Sequence, residues 1–298
     1  MTWKKAMRIG YIGLGIMGKP MALNIQKAGF ELHVWARRPE ATQDLHGANV
    51  HPSLSALAQC CDVIFLNVSD TPDVEQLILG QGGLLEHSKP GTIIVDNSTI
   101  SPDATRNIAK QLSSKGVEML DAPVSGGDVG AIAGTLSIMV GGKADTFAQV
   151  KPLLAACGTH ILHIGDHGAG QVCKACNQIL VAQSMAAVGE SLLLAKASGV
   201  DAAKVRQALL GGFAQSRILD IHGQRILDNH FTPGFKSELH HKDMAIALEA
   251  AEQGGLELPG AQLATQHLAA MLARDLGGED SSAMCKIIAA HSNFPLFD

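Results

Sequence analysis

The chain has 298 residues, 46% of them hydrophobic and 17% charged, proportions that exclude a disordered chain and allow two domains of ordinary size with a substantial core. A formal net charge of −5 offers no basic footprint and so argues against nucleic acid or an anionic membrane as partner. Glycine is plentiful at 32 residues, as expected where backbones approach one another or a ligand closely.

Met1 to Met7 reads as a short extension, and the lysines before the apolar run only faintly resemble a signal peptide. Gly10, Gly13, Gly15 and Gly18 interrupt the run, and no cleavage site follows. No stretch reaches the roughly 18 uninterrupted apolar residues of a membrane span, so a cytoplasmic location is expected. Arg8 to Ile12 reads as a buried strand, followed by a glycine turn and a helix that carries Met21, Ala22, Ile25 and Ala28 on one face. Leu32 to Trp35, Asp62 to Val68 and Thr92 to Asp96 are further strands. The helical patterns Leu54 to Ala58, Asp73 to Leu79 and Pro102 to Ser113 separate or follow them, an alternation that makes parallel βαβ units. Val117 to Leu120, Leu136 to Val140 and Ile161 to Ile164 continue the sheet. The expected fold is α/β, with a Rossmann-type doubly wound domain over residues 1–167.

Beyond Gln171 no strand is expected, and helical segments separated by glycine pairs run to the end. Residues 168–298 therefore read as an all-α domain that opens with a long inter-domain helix from Gly168 to Ala195. A helix so long and so apolar all round should be buried on several sides, which favours a homo-oligomer, dimer or tetramer.

Six cysteines in a long chain without a signal sequence read as packing residues, and Cys173-x-x-Cys176 has no second pair to complete a metal site. His160, His163 and His167 read as satisfied or surface histidines. No metal is expected.

Gly13-Leu14-Gly15-Ile16-Met17-Gly18 stands where a dinucleotide fingerprint must, after a strand and before a helix. Gly13 permits the tight turn, Gly15 the approach of the pyrophosphate and Gly18 the packing of helix on strand, with phosphate held at the helix N-terminus. At the end of the second strand, where an acid would accept from the ribose hydroxyl of NAD, the sequence reads Trp35-Ala36-Arg37-Arg38-Pro39. Two guanidiniums suit a phosphate, so NADP(H) is expected to be preferred over NAD(H).

The fingerprint, Asp121-Ala122-Pro123-Val124-Ser125-Gly126-Gly127, Gly170-x-x-x-Lys174-x-x-Asn177 and Lys242-Asp243 together resemble the β-hydroxyacid dehydrogenases, and Asp280 to Ala283 extends the likeness. Within the family, residues 134–142, 211–219 and 233–236 look most like the branch that reduces tartronate semialdehyde. The alternatives are 3-hydroxyisobutyrate dehydrogenases and glyoxylate or succinic semialdehyde reductases. A non-catalytic dinucleotide-binding protein is the reading from another class. Ala36, and Asn67 to Asp70, depart from the residues common in relatives.

Hydride transfer to an aldehyde builds negative charge on oxygen. Lys174 can stabilise that charge and hand over a proton, and burial would draw its ammonium toward neutrality. The resemblance implies this role. Asn177, one turn on, would orient lysine or substrate. Ser125, Gly126 and Gly127 offer a hydroxyl and successive N–H groups to a carboxylate. Gly168 and Gly170 are expected to let the helix start close against cofactor or substrate. Thr99, after an apolar strand, is a candidate cofactor contact or a helix cap. From the resemblance alone, Lys242 reaches substrate or nicotinamide, with Asp243 as its hydrogen-bonding neighbour; unaided, the pair reads as a solvated helix face.

Overall fold

A computed structural model describes residues 7–297, so the expected extension Met1 to Met7 lies outside the described residues except for its last member. The chain divides into two compact units, one closing at Lys174 and one opening at Ala175. This division lies inside a long helix, whereas the sequence places its boundary at the loop before that helix.

In the first unit the elements run β1 (Arg8–Ile12), α1 (Gly18–Lys27), β2 (Glu31–Trp35), β3 (Asn49–Val50), α2 (Leu54–Cys60), β4 (Val63–Leu66), α3 (Thr71–Leu79), α4 (Leu84–His87), β5 (Ile93–Asp96) and α5 (Pro102–Ser113). They continue with β6 (Glu118–Asp121), β7 (Val124–Ser125), α6 (Gly127–Ala133), β8 (Leu136–Gly142), α7 (Ala144–Leu154) and β9 (Gly158–Gly165). The sheet order is β3-β2-β1-β4-β5-β6-β8-β7, with β9 beside β8.

Side chains that alternate along a strand point to opposite faces. Ile9, Tyr11, Val63, Phe65, Ile93 and Val95 accordingly pack one core, while Ile12, Ile64, Leu66 and Ile94 pack a second on the other face. The strands are apolar nearly throughout because helices cover both sides, as a parallel sheet requires.

Pairing from β3 through β6 is parallel, as expected. The continuation is not: β8 runs antiparallel to both β6 and β7, and β9 is parallel to β8. After β6 the chain passes through Ala122-Pro123 into the two-residue β7, and the short α6 turns it back before β8. An αL glycine at the end of α6, Gly134 with φ 67°, completes the reversal.

The long helix α8 (Ala169–Ala197) crosses from one unit into the other. The second unit holds its larger part and α9 (Ala202–Leu210), α10 (Arg217–Leu227), α11 (Ser237–Gln253), α12 (Pro259–Leu272) and α13 (Met284–His291). The only strand-like pairing there among the described residues is a lone bridge, Lys236 to Asp280. By length and composition α8 could cross a membrane, with a mean hydropathy of 1.4. Its apolarity has a local cause: Ala182, Val188, Leu192 and Ala195 belong to the core of the second unit.

Candidate active site

The first unit presents its candidate residues at the carboxyl ends of parallel strands, where open α/β sheets bind ligands. In the turn after β1, a Cβ on Gly13 would stand 2.1 Å from the Asn67 carbonyl oxygen, and one on Gly18 would stand 1.9 Å from the Gly13 carbonyl oxygen. Gly13 also holds φ at 89°, so neither position admits a side chain. A Cβ on Gly15 would meet nothing within 4 Å. Gly13 and Gly18 are thus required by the fold, while Gly15 borders open space that a pyrophosphate can enter. Leu14 is buried, Ile16 exposed, and Met17 leads into α1, whose first turn carries no acid and no side-chain cap. Such a helix start suits an anion.

Arg37 and Arg38 follow β2 and are exposed. The Arg37 Nη1 is 3.9 Å from Asp73 Oδ1, a long contact between well-solvated groups that leaves the guanidinium able to turn to a phosphate.

Beyond β5, Asn97 Nδ2 donates to the Ala122 carbonyl (2.7 Å), and Ser98 Oγ accepts from the Val68 N–H (2.9 Å). Gln171 braces this loop from α8: its Nε2 donates to the Ser98 carbonyl (2.9 Å), and its Oε1 accepts from the Ile100 N–H (3.2 Å). Thr99 stands between the two braced residues. The capping role falls to Ser101, whose Oγ accepts from the Ala104 N–H at the start of α5.

Asp121 ends β6 fully buried. Its Oδ1 accepts from the Gly168 N–H (2.9 Å) and its Oδ2 from the Gln171 N–H (3.0 Å), which places a carboxylate at the positive end of α8. Burial raises this carboxyl above its ordinary pKa, and the two N–H donors oppose the rise. A Cβ on Gly170 would be 2.5 Å from the Met139 carbonyl oxygen and 2.8 Å from that of Asp121. A Cβ on Gly168, where φ is 86°, would be 2.8 Å from Arg106 Nη1. These glycines therefore let the helix start close against the protein's own backbone and side chains.

Ser125 lies in β7, and Gly126, at the cap of α6, and Gly127, its first residue, take φ of 135° and 64°. Nothing lies within 4 Å of a Cβ built on Gly127, so its N-terminal turn is open. Lys174, one turn beyond Gln171 on α8, is 7% exposed, rare for an ammonium.

In the second unit, Asn177 Nδ2 donates to Gln178 Oε1 (2.7 Å), and Gln178 Nε2 donates to Asp243 Oδ2 (2.7 Å). The other oxygen of Asp243 is 2.8 Å from Lys242 Nζ, with side-chain exposures of 18% for the lysine and 3% for the aspartate. The pair is not a solvated face but the end of a buried chain that fixes Asn177 through Gln178.

Gln171 and Gln178 were not singled out in the sequence. Their signal was present: Gln171, Lys174 and Gln178 recur at three and four residues on an otherwise apolar helix, a polar stripe along one side. His163 Nε2 is 2.7 Å from the Gly142 carbonyl and His167 Nε2 is 3.0 Å from that of Met119, so these are satisfied histidines. Cys173 is half-buried and Cys176 exposed, and neither is in a disulfide.

Residues 8–165 match the NAD binding domain of 6-phosphogluconate dehydrogenase, and residues 168–288 match the NAD-binding family of NADP-dependent 3-hydroxyisobutyrate dehydrogenase. The chain is 44% identical over 97% of its length to 2-hydroxy-3-oxopropionate reductase of Escherichia coli (strain K12), all of which is covered. It is 39% identical over 82% of its length to 3-hydroxyisobutyrate dehydrogenase of Pseudomonas aeruginosa, covering 85% of that protein. The solved structure of Mycobacterium tuberculosis 3-hydroxyisobutyrate dehydrogenase with L-serine superposes with a TM-score of 0.87 at 30% identity, covering 95% of this chain and 99% of that one. A fingerprint turn with room for a pyrophosphate, a buried lysine on the long helix and these matches over both units carry one conclusion: the chain belongs to the β-hydroxyacid dehydrogenases, NAD(P)-dependent oxidoreductases that act on the CH–OH group of small hydroxy acids.

Proposed function

We propose that the protein reduces tartronate semialdehyde to glycerate with a preference for NADPH. The observation that carries the reading is Lys174, an ammonium buried on an apolar helix, in a chain 44% identical to a 2-hydroxy-3-oxopropionate reductase. The nicotinamide, when bound, supplies the hydride. Lys174 holds the carbonyl oxygen as negative charge develops and delivers its proton, so that one hydride and one proton turn C=O into CH–OH. Asn177, fixed by Gln178, orients lysine or substrate. Ser125 and the N–H groups of Gly126 and Gly127 hold the carboxylate, and Lys242, steered by Asp243, completes the substrate and cofactor contacts. Gly13 to Gly18, Thr99, Arg37 and Arg38 hold the dinucleotide.

Initial rates with tartronate, methylmalonate and succinic semialdehydes and glyoxylate, each with NADPH and NADH, test the reading. The highest kcat/KM is expected for tartronate semialdehyde, at least about tenfold higher with NADPH than with NADH, as a fork of charge-assisted bonds to a phosphate would give. Arg37→Asp should move the preference toward NADH. A higher value with NADH for the wild type would remove the argument from the two arginines. A higher value for methylmalonate semialdehyde would move the protein to the 3-hydroxyisobutyrate branch, where its Pseudomonas relative lies.

Open space at Gly15 separates binding from folding. Gly15→Ala is expected to melt within about 2 °C of the wild type, because its methyl meets nothing, yet to bind NADPH at least about tenfold more weakly, because the methyl occupies the approach of the pyrophosphate. Unchanged NADPH affinity in a titration of cofactor fluorescence would take Gly15 out of the binding turn.

A further inference from the structure

Among the described residues, one group of three potential metal ligands stands together, and it is neither of the two groups conspicuous in the sequence. His33 lies buried in mid-β2, His51 directly follows β3, and Cys60 is the last residue of α2. Pairing of β2 with β3 sets His33 opposite Asn49 and so brings His51 alongside. His33 Nδ1 is 2.8 Å from His51 Nε2 and 3.8 Å from Cys60 Sγ, and all three atoms lie within 4.8 Å of one another. We propose that His33, His51 and Cys60 form a binding site for one zinc-type divalent cation, separate from the dehydrogenase chemistry.

Three features beyond proximity support the assignment. His33 Nε2 is 3.1 Å from Glu31 Oε1, which also accepts from Asn49 Nδ2 at 3.3 Å. With the Nε2 proton on that carboxylate, the Nδ1 lone pair of His33 points at His51 and Cys60, the carboxylate–histidine–metal arrangement that fixes ligand orientation. His51 presents Nε2, the nitrogen that faces His33 Nδ1, so the same ring atom is placed to ligate. Cys60 Sγ accepts from the Arg8 guanidinium at 3.9 Å, so its sulfur already faces a positive group. Arg8 is itself paired with Asp62 at 3.3 Å, which limits its repulsion of a cation.

The donor set, two imidazoles and a thiolate, is that of a borderline-soft ion in tetrahedral geometry, with water as the fourth ligand. Zinc–nitrogen bonds of about 2.0–2.1 Å and a zinc–sulfur bond of about 2.3 Å set ligand atoms about 3.3–3.6 Å apart. The two histidines would have to separate by about half an ångström, and Cys60 to close on His33 by a few tenths and on His51 by up to about 1.2 Å, movements of side-chain rotation. On ligation His51 moves its remaining proton from Nε2 to Nδ1, and Cys60 releases its own to solvent.

The full-length, untagged protein, stripped with chelator and titrated with Zn2+ and with Co2+, tests the proposal. About one equivalent of Zn2+ per chain is expected, and the Co2+ form should show thiolate-to-metal charge transfer that Zn2+ bleaches. Cys60→Ser should abolish the charge-transfer band, His51→Gln should weaken binding at least about 100-fold, and Glu31→Gln about 10–100-fold. Cys176→Ser, which removes an exposed thiol elsewhere, should change nothing. Far-UV circular dichroism confirms that each variant is folded, and the changes fall on different elements, so failure of one leaves the others to decide. Less than about a tenth of an equivalent bound by the wild type, or Cys60→Ser and His51→Gln binding as tightly as it does, overturns the site.

Discussion

Lys174→Ala is expected to lower kcat for semialdehyde reduction by on the order of 10³-fold while leaving NADPH binding within about threefold, because a positioned general acid accounts for about 10²–10⁴ in rate and acts only once the carbonyl begins to charge. Lys174→Arg separates the two tasks assigned to the side chain. A guanidinium keeps the positive charge but does not give up its proton in the accessible pH range. It should therefore recover part of the electrostatic stabilisation, about tenfold over alanine, and none of the proton delivery. In the wild type the acid must be protonated, so reduction is fastest below its pKa and declines as pH rises through it. That alkaline limb should be missing from the Lys174→Arg profile. Cofactor fluorescence titration and the pH dependence of kcat/KM read the two parts separately. Wild-type turnover by Lys174→Ala on every semialdehyde offered would sink the assignment.

What could be read from the sequence was local. The fingerprint turn declares itself because Gly13 and Gly18 answer steric demands made by near neighbours in the chain, or by the strand beside it. The parallel half of the sheet follows from alternating strands and helices. Its reversed half does not, because a two-residue strand such as β7 has no period and apolar runs carry no sign of direction. Asp121 could be quoted as part of a motif, but its role is tertiary: it caps α8 from a strand 47 residues earlier in the chain. Asp243 looked like solvated surface for the same reason, since its partner Gln178 is 65 residues away. His33, His51 and Cys60 belong to no recognisable spacing, and only the register of β2 on β3 with the placement of α2 gathers them. Of the conspicuous histidine triplet, by contrast, His163 and His167 each meet a backbone carbonyl.

Asp280→Ala is expected to destabilise the second unit by about 3–5 kcal/mol, the cost of leaving a buried ionic network without its anion. Asp280 is 0% exposed. Its Oδ2 accepts from Arg225 Nη1 (2.9 Å) and from the N–H groups of Gly234 (3.0 Å) and Phe235 (3.2 Å). Its Oδ1 accepts from the Ser282 N–H (3.1 Å) and Oγ (2.6 Å) and lies 3.3 Å from His222 Nδ1. One carboxylate therefore ties α10, the loop before α11 and the turn that leads into α13. Asp280→Asn should fare little better, because its amide would turn a donor toward a shell made almost wholly of donors. Burial alone would raise this carboxyl, but the close approach of His222 and the hydrogen bonds from Ser282 overcome it and hold the group well below the usual carboxylate range. A folded-state pKa below the unfolded one means that the unfolded chain binds the extra proton. The stability contributed is therefore present above pH about 4 and is lost as pH falls toward the depressed value. Urea unfolding should show the wild type losing stability more steeply than Asp280→Asn below pH about 4, and hydrogen exchange in α10 and α13 should quicken in the variants at neutral pH. If Asp280→Ala at pH 7 kept its unfolding free energy within about 0.5 kcal/mol of the wild type, water would be standing in for the carboxylate and the network would not be what holds these elements together.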